Sequence, residues 1–181
     1  MATVPSEDTL AVGGKITATW ANSDVRDAIN FLASGMPRVS VSNSAAHSHT
    51  SGTSLLLTWD TEAYDNDTMH STSTNTSRLV ATTAGTYQVT ARAAFASNAT
   101  GIRSLDVRKN AAGASGGGTR IGYDSQTPVS GAVTSVAVIC DVVLAANDYI
   151  EAFGFQSSGG ALSTDVSAGL TVFQMRMVQT T

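Results

Sequence analysis

From Pro37 onward the chain alternates apolar and polar residues with a period of two, the spacing of strands with one buried face. The clearest run starts at Gly85. Tyr87, Val89, Ala91, Ala93 and Phe95 fall on one face, and Thr86, Gln88, Thr90 and Arg92 on the other. The same reasoning predicts strands at Arg38–Asn43, Thr53–Trp59, Ser77–Ala81, Gly85–Ser97, Gly101–Asn110, Gly118–Tyr123, Val129–Leu144, Asp148–Gln156 and Ala168–Val178. Turn-forming segments separate them, among them Asn98–Gly101, Ala112–Gly118, Ala146–Asp148 and Ser157–Gly160. Many short strands with regular turns predict an all-β sandwich, barrel or jelly roll.

Two strands carry apolar residues on both faces. In Val129–Leu144, Val136, Val138, Cys140, Val142 and Leu144 share one face. Val133, Ala137, Ile139 and Val143 share the other, interrupted by Ser135 and Asp141. In Asp148–Gln156, Tyr149, Phe153 and Phe155 oppose Ile150 and Ala152. A strand of a two-layer sandwich ordinarily keeps one face wet, so the second apolar face needs a cover. A neighbouring subunit is the expected cover, which makes Val133, Ala137, Ile139, Val143, Tyr149, Phe153 and Phe155 candidate interface residues. A thick monomer core is the alternative.

Ahead of the strands lies one helix candidate. Ser23 or Asp24 is placed to cap it, and Val25, Ala28, Ile29 and Leu32 recur at helical spacing. Gly35 and Pro37 are placed to end it, giving a helix at about residues 23–34. Trp20 and Phe31 add apolar surface beside that stripe. So short a helix needs a partner for its apolar face. Residues 1–36 therefore read as an extension and residues 37–181 as the domain, with Trp20, Val25, Ile29, Phe31 and Leu32 as candidate docking residues.

Composition sharpens this picture. Charged residues are only 13% of the 181, whereas hydrophobic residues are an ordinary 42%. Ser, Thr, Asn, Ala and 16 glycines fill the gap, as suits tight turns and surfaces hidden in an oligomer. The net charge of −4 comes with no basic patch, so nucleic acid is not an expected partner. The single cysteine, Cys140, has no partner for an intrachain disulfide and reads as a buried thiol. No charged-then-apolar region opens the chain, and no apolar run reaches the ~20 residues of a membrane helix. Synthesis in a cytoplasm without membrane insertion is expected.

An ordered series of segments then resembles a known family. It comprises Arg38–Ala46, Leu57–His70 and Ser77–Val80, then Ala84–Val89, Asn98–Arg103 and Val107–Asn110, and closes with Val143–Glu151 and Leu170–Phe173. Together they resemble the trimeric jelly roll shared by the complement globular-head domain and tumour necrosis factor, and more closely its versions in tailed-bacteriophage virion proteins. Asn147 stands where that family usually has glycine, and asparagine tolerates the same left-handed backbone. Residues 16–32 also look like the leader segments of phage tail and head appendage proteins. The resemblance implies an all-β, ten-stranded-type jelly-roll sandwich that is homotrimeric, with a short N-terminal extension containing one helix.

Other clusters invite chemistry. His47 and His49 have a spacing that can bind zinc or nickel, although two polar loop histidines explain it as well. Asp60, Glu62, Asp65 and Asp67 surround Tyr64 in an oxygen-rich run that could attract calcium, although turn-forming aspartates explain it as well. The glycine-rich run Gly113–Gly118 lacks the lysine and helix of a phosphate loop. No nucleophile–base–acid series is visible. The expectation is a non-enzymatic protein without metal or cofactor: a tail-tip or tail-fibre trimer on the virion surface. It would contact other virion proteins through residues 1–36. It would meet a host glycan or receptor through loops such as Ala111–Thr119 and Ser157–Thr164. The alternative is a decoration protein docked on the head. A soluble lectin-like or cytokine-like ligand fits less well.

Overall fold

A computed structural model describes residues 3–5, 12–167 and 169–180. Two antiparallel sheets face each other. The first has the order β4 (Thr61–Asp65), β1 (Arg38–Ser42), β12 (Val172–Thr180), β6 (Gly85–Phe95), β9 (Thr134–Leu144). The second has the order β3 (Ser54–Leu56), β10 (Tyr149–Gln156), β7 (Arg103–Lys109), β8 (Thr119–Gln126). A fifth strand of that sheet, β5 (Arg78–Val80), pairs with the first half of β10, and β3 pairs with the second half. These ten strands make the jelly-roll sandwich. A two-stranded ribbon, β2 (Ser48–His49) with β11 (Leu162–Ser163), lies beside it.

The period-two run of β6 falls where expected, whereas the strand expected from Val129 begins only at Thr134 and the one expected over Thr53–Trp59 covers Ser54–Leu56. In β6, Tyr87, Val89, Ala91, Ala93 and Phe95 are all buried between the sheets, and the intervening positions up to Arg92 are partly exposed. Phe173, Met175 and Met177 of β12 meet them from the same sheet, beside Val39 and Val41 of β1. Leu105, Val107, Ile150 and Ala152 close the core from the other sheet. Trp59 packs on Phe173 with ring centroids 5.5 Å apart. Buried Tyr87 donates its hydroxyl to the Thr83 carbonyl at 2.6 Å. Burial pushes that phenol well above its ordinary pKa, with Asp67 adding to the effect. Asn147 takes the left-handed conformation at φ 72°, so the turn into β10 survives without glycine.

Three further expectations are corrected. The acidic run read as a turn is the edge strand β4, over Thr61–Asp65. The helix begins earlier than residue 23. It starts at Ala18, where Thr17 Oγ1 accepts the Trp20 amide at 3.2 Å, and helical turns run to Gly35. Ser23 is therefore not a cap; its hydroxyl donates back to the Thr19 carbonyl inside the helix. Two of the turns, Ala21–Arg26 and Phe31–Gly35, are π turns, which shifts the faces away from ideal 3.6-residue spacing. The last strand was expected from Ala168, which lies outside the described residues; its ladder starts at Val172.

The helix joins the domain through Asn66. Its side-chain amide donates to the Ser34 and Met36 carbonyls, and its carbonyl oxygen accepts the Arg38 amide at 2.8 Å. A turn beside β4 thus clamps the passage from helix to β1.

Candidate assembly faces and polar sites

The candidate interface residues separate into two groups. Val133 precedes β9, and Ala137, Ile139 and Val143 lie on its outward side. β9 is the edge of the first sheet. They are exposed in the single chain, Ile139 at 68% and Val143 at 62%. Among the described residues nothing covers this stripe. Toward the middle of the sheet the outward face turns polar, with Gln88, Thr90, Gln174, Arg176 and Tyr64 around a shallow hollow. Arg176 donates to Gln88 Oε1 at 2.7 Å.

Tyr149, Phe153 and Phe155 stand on the other sheet, and their surroundings differ. The loop after β7 folds back over β10. The Ala112 amide donates to the Tyr149 hydroxyl at 3.1 Å, the Gly113 amide to Glu151 Oε2 at 2.9 Å, and Arg108 to the Gly117 carbonyl at 2.8 Å. Phe153, paired across the sheet with Leu56 and Asp106, is only 2% exposed. The cover that the sequence assigns to a neighbouring subunit comes, at Phe153, from the chain itself. Glu151 is buried in the same layer, where Ser77, Arg78 and the Gly113 amide all donate to it. Of the loops expected to face a partner, Ala112–Gly116 is exposed at its tip, whereas Leu162 and Thr164 are buried by the β2–β11 ribbon.

On the helix, Val25, Ile29 and Leu32 are exposed, Leu32 at 68%, and Trp20 is half-buried. Phe31 points the other way and joins the core cluster. It anchors the helix to the domain and is not free for docking.

Neither candidate metal cluster is assembled as one. Among the described residues no group of three or more His, Cys, Asp or Glu is placed to hold a metal ion. Each carboxylate of the acidic run is engaged by groups of the chain itself. Asp60 accepts from the Ser44 amide and hydroxyl, and those bonds hold its pKa below the ordinary value. Asp65 accepts the amides of Asp67, Met69 and His70. Asp67 binds the Thr82 and Thr83 hydroxyls, and Glu62 meets His70 Nδ1 at 2.8 Å. His47 lies against the Thr58 carbonyl and the Asn43 amide.

His49 is fully buried, edge-on to Phe95 with centroids 5.1 Å apart, and among the described residues neither ring nitrogen makes a well-aligned hydrogen bond. Gly154 makes room for the ring, since a Cβ there would come within 2.5 Å of His49 Cε1. Burial, and then the neighbouring His47, lowers the His49 pKa from 6.5 to about 4. The folded chain thus holds the imidazole neutral, whereas the unfolded chain protonates it near pH 6.5. Stability from this source is complete above that pH and is lost as pH falls toward 4, by roughly 3 kcal/mol in all. Urea melts at pH 7 and pH 4.5 test this. The acid loss should be clearly smaller in His49→Gln than in the parent; equal losses would show that His49 is not responsible.

No protein-family model matches the chain, and no curated protein matches it in sequence. Solved structures do match its shape. Murine APRIL at pH 5.0 superposes with a TM-score of 0.60 at 11% identity, over 79% of this chain and 99% of that one. The globular domain of zebrafish complement 1qA gives 0.57 at 14% identity, over 80% and 99%. Eiger TNF from S. frugiperda gives 0.61 at 9% identity, over 81% and 94%. The chain therefore has the TNF/C1q-like jelly-roll fold. Fold alone does not set function, which has to be argued from the faces described above.

Proposed function

We propose that this chain is a non-enzymatic homotrimeric binding protein displayed on the surface of a tailed-phage virion, as a tail-tip or tail-fibre component. The apolar stripe of β9 carries the reading. Val133, Ile139 and Val143 form a row on an otherwise polar sheet face, and a row of that kind is the mark of a surface meant to be covered. The trimeric family that the sequence resembles supplies the symmetry, because a closed three-fold ring buries one such edge per copy. The exposed helix residues Val25, Ile29 and Leu32 then dock the trimer to other virion proteins. A particle with several trimers contacts a host glycan or receptor through many weak sites at once, which raises avidity without a strong single site.

Light scattering on the purified protein should give about three times the 18.6 kDa chain mass; a monodisperse monomer would overturn the assembly. Replacing Val25, Ile29 and Leu32 together by serine should abolish incorporation into particles while leaving the trimer intact, because none of the three is buried. Electron microscopy of labelled particles should place the protein on the tail. Label on the capsid would instead identify a decoration protein.

A further inference from the structure

A second feature of the surface belongs neither to β9 nor to the helix. Between the Ser/Thr-rich stretch after His70 and the turn into β10 lies an open pocket of about 430 Å³. Ser71, Thr74, Asn75 and Asn147 bring hydroxyl and amide groups to it, and Arg78 and Tyr149 form one wall.

Arg78 is held in a fixed pose. Its guanidinium lies over the Tyr149 ring, 4.1 Å from the centroid, and its Nε donates to buried Glu151 at 3.2 Å. The Tyr149 hydroxyl is itself fixed by the Ala112 amide. This arrangement uses only one edge of the guanidinium. The two terminal nitrogens make no hydrogen bond with the described residues, and the side chain is about a quarter exposed. An arginine oriented by stacking and by a back-side carboxylate presents a planar fork of donors at little entropic cost, the geometry that takes a carboxylate. The backbone around the pocket is also specialised. Thr68, Asn75 and Asn147 line it with φ of 54°, 51° and 72°, three of the five non-glycine residues with positive φ among the described residues. For Thr68, a β-branched residue, that conformation is costly.

We infer that this pocket binds a carboxylate-bearing sugar, such as a uronic acid unit of a host-surface polysaccharide. The terminal nitrogens of Arg78 receive the carboxylate, and Ser71, Thr74, Asn75 and Asn147 pair with the ring hydroxyls. The inference deepens the reading of the chain as a displayed binding protein and rests on it. One shallow pocket of this kind binds in the millimolar range, the regime in which multivalent display is effective.

Saturation-transfer NMR and calorimetry on the intact protein test it, with D-glucuronic acid, methyl β-D-glucoside and inorganic phosphate as probes. Glucuronic acid should bind at least about tenfold more tightly than either other probe, because only it offers both carboxylate and hydroxyls. Arg78→Gln should weaken it by about tenfold or more. Thr74→Trp, at an exposed position that leaves the Arg78–Glu151 pair in place, should block it to a similar extent and guards against misfolding of the first variant. Equal binding of glucuronic acid and methyl glucoside, phosphate binding as tightly as glucuronic acid, or full binding by Thr74→Trp would each overturn the proposal. A protein that scatters as a trimer but binds no glucuronic acid sinks this inference alone. A monomer sinks the reading beneath it.

Discussion

Ile139→Asp should convert the proposed trimer to a folded monomer, whereas Phe153→Asp should not fold at all. Both residues are apolar on strands with two apolar faces, and sequence pattern alone treats them alike. Their surroundings do not. Ile139 is 68% exposed on β9, so in the single chain an aspartate there meets water and costs at most about 1 kcal/mol. At a three-fold contact the same change places three carboxylates in apolar surroundings, which neither solvate nor pair them. The expected result is a light-scattering mass near 18.6 kDa with native circular dichroism. Phe153 is 2% exposed within the single chain, and an ionised aspartate there has no cationic partner in its register. The cost, about 4 kcal/mol or more, is a large share of a domain's stability, so insoluble protein is expected. If Ile139→Asp remained trimeric, β9 would not be the interface. If Phe153→Asp gave a folded monomer, β10 would be interfacial after all.

The contrast shows where sequence reading stops. Periodicity marks residues that need cover, and the faces it marked at β6 and β12 are buried. It carries no information about what supplies the cover. Phe153 is covered within the single chain, on a strand whose neighbouring Tyr149 and Glu151 are bonded by backbone amides of a glycine-rich loop, and amide bonds leave no side-chain signature. Strand β4 was missed for a related reason. Thr61, Glu62, Ala63 and Tyr64 are exposed at a sheet edge, so no buried face imposes alternation on them. The two-residue strands of the β2–β11 ribbon are too short to show any period. Phe31 was separable from the stripe of Val25, Ile29 and Leu32 by its helical position, and the structure gives that separation a meaning: one side grips the domain and the other is exposed.

The sugar pocket was less legible still. Its parts come from a Ser/Thr-rich spacer, a strand end and a turn, which the fold brings together across more than 70 residues. Arg78 stood out in the sequence only as part of the Ser77–Val80 segment, not as a binding residue. Its significance lies in a stacking partner and a buried carboxylate that only pairing of β5 with β10 places beside it. The acidic run, by contrast, stood out in sequence because carboxylates are conspicuous, and its groups prove to be committed to local amides and hydroxyls.

Gly122→Ala should be the most damaging single-methyl change in the second sheet, and Val138→Ala should partly rescue it. Gly122 sits in β8 where that strand passes close to β9, the edge of the opposite sheet. A Cβ at this position would lie 2.2 Å from Val138 Cγ1 and 3.6 Å from Cys140 Sγ. Val138 is 5% exposed, and valine has little freedom about χ1, so it cannot swing clear. The sheets must separate or β8 must bend, an overpacking cost of about 3 kcal/mol. For a chain of this size that lowers the melting temperature by roughly 6–12 °C, measured at fixed protein concentration because assembly contributes to the melt. Val138→Ala alone leaves a small cavity and also destabilises. Combined, the two changes should return the missing methyl volume to one place, and the double variant should be more stable than the sum of the singles by at least about 1 kcal/mol. Strict additivity would mean that β8 and β9 do not meet at this pair. That would remove the contact by which the β9 edge, and the apolar stripe on its far side, is held in position.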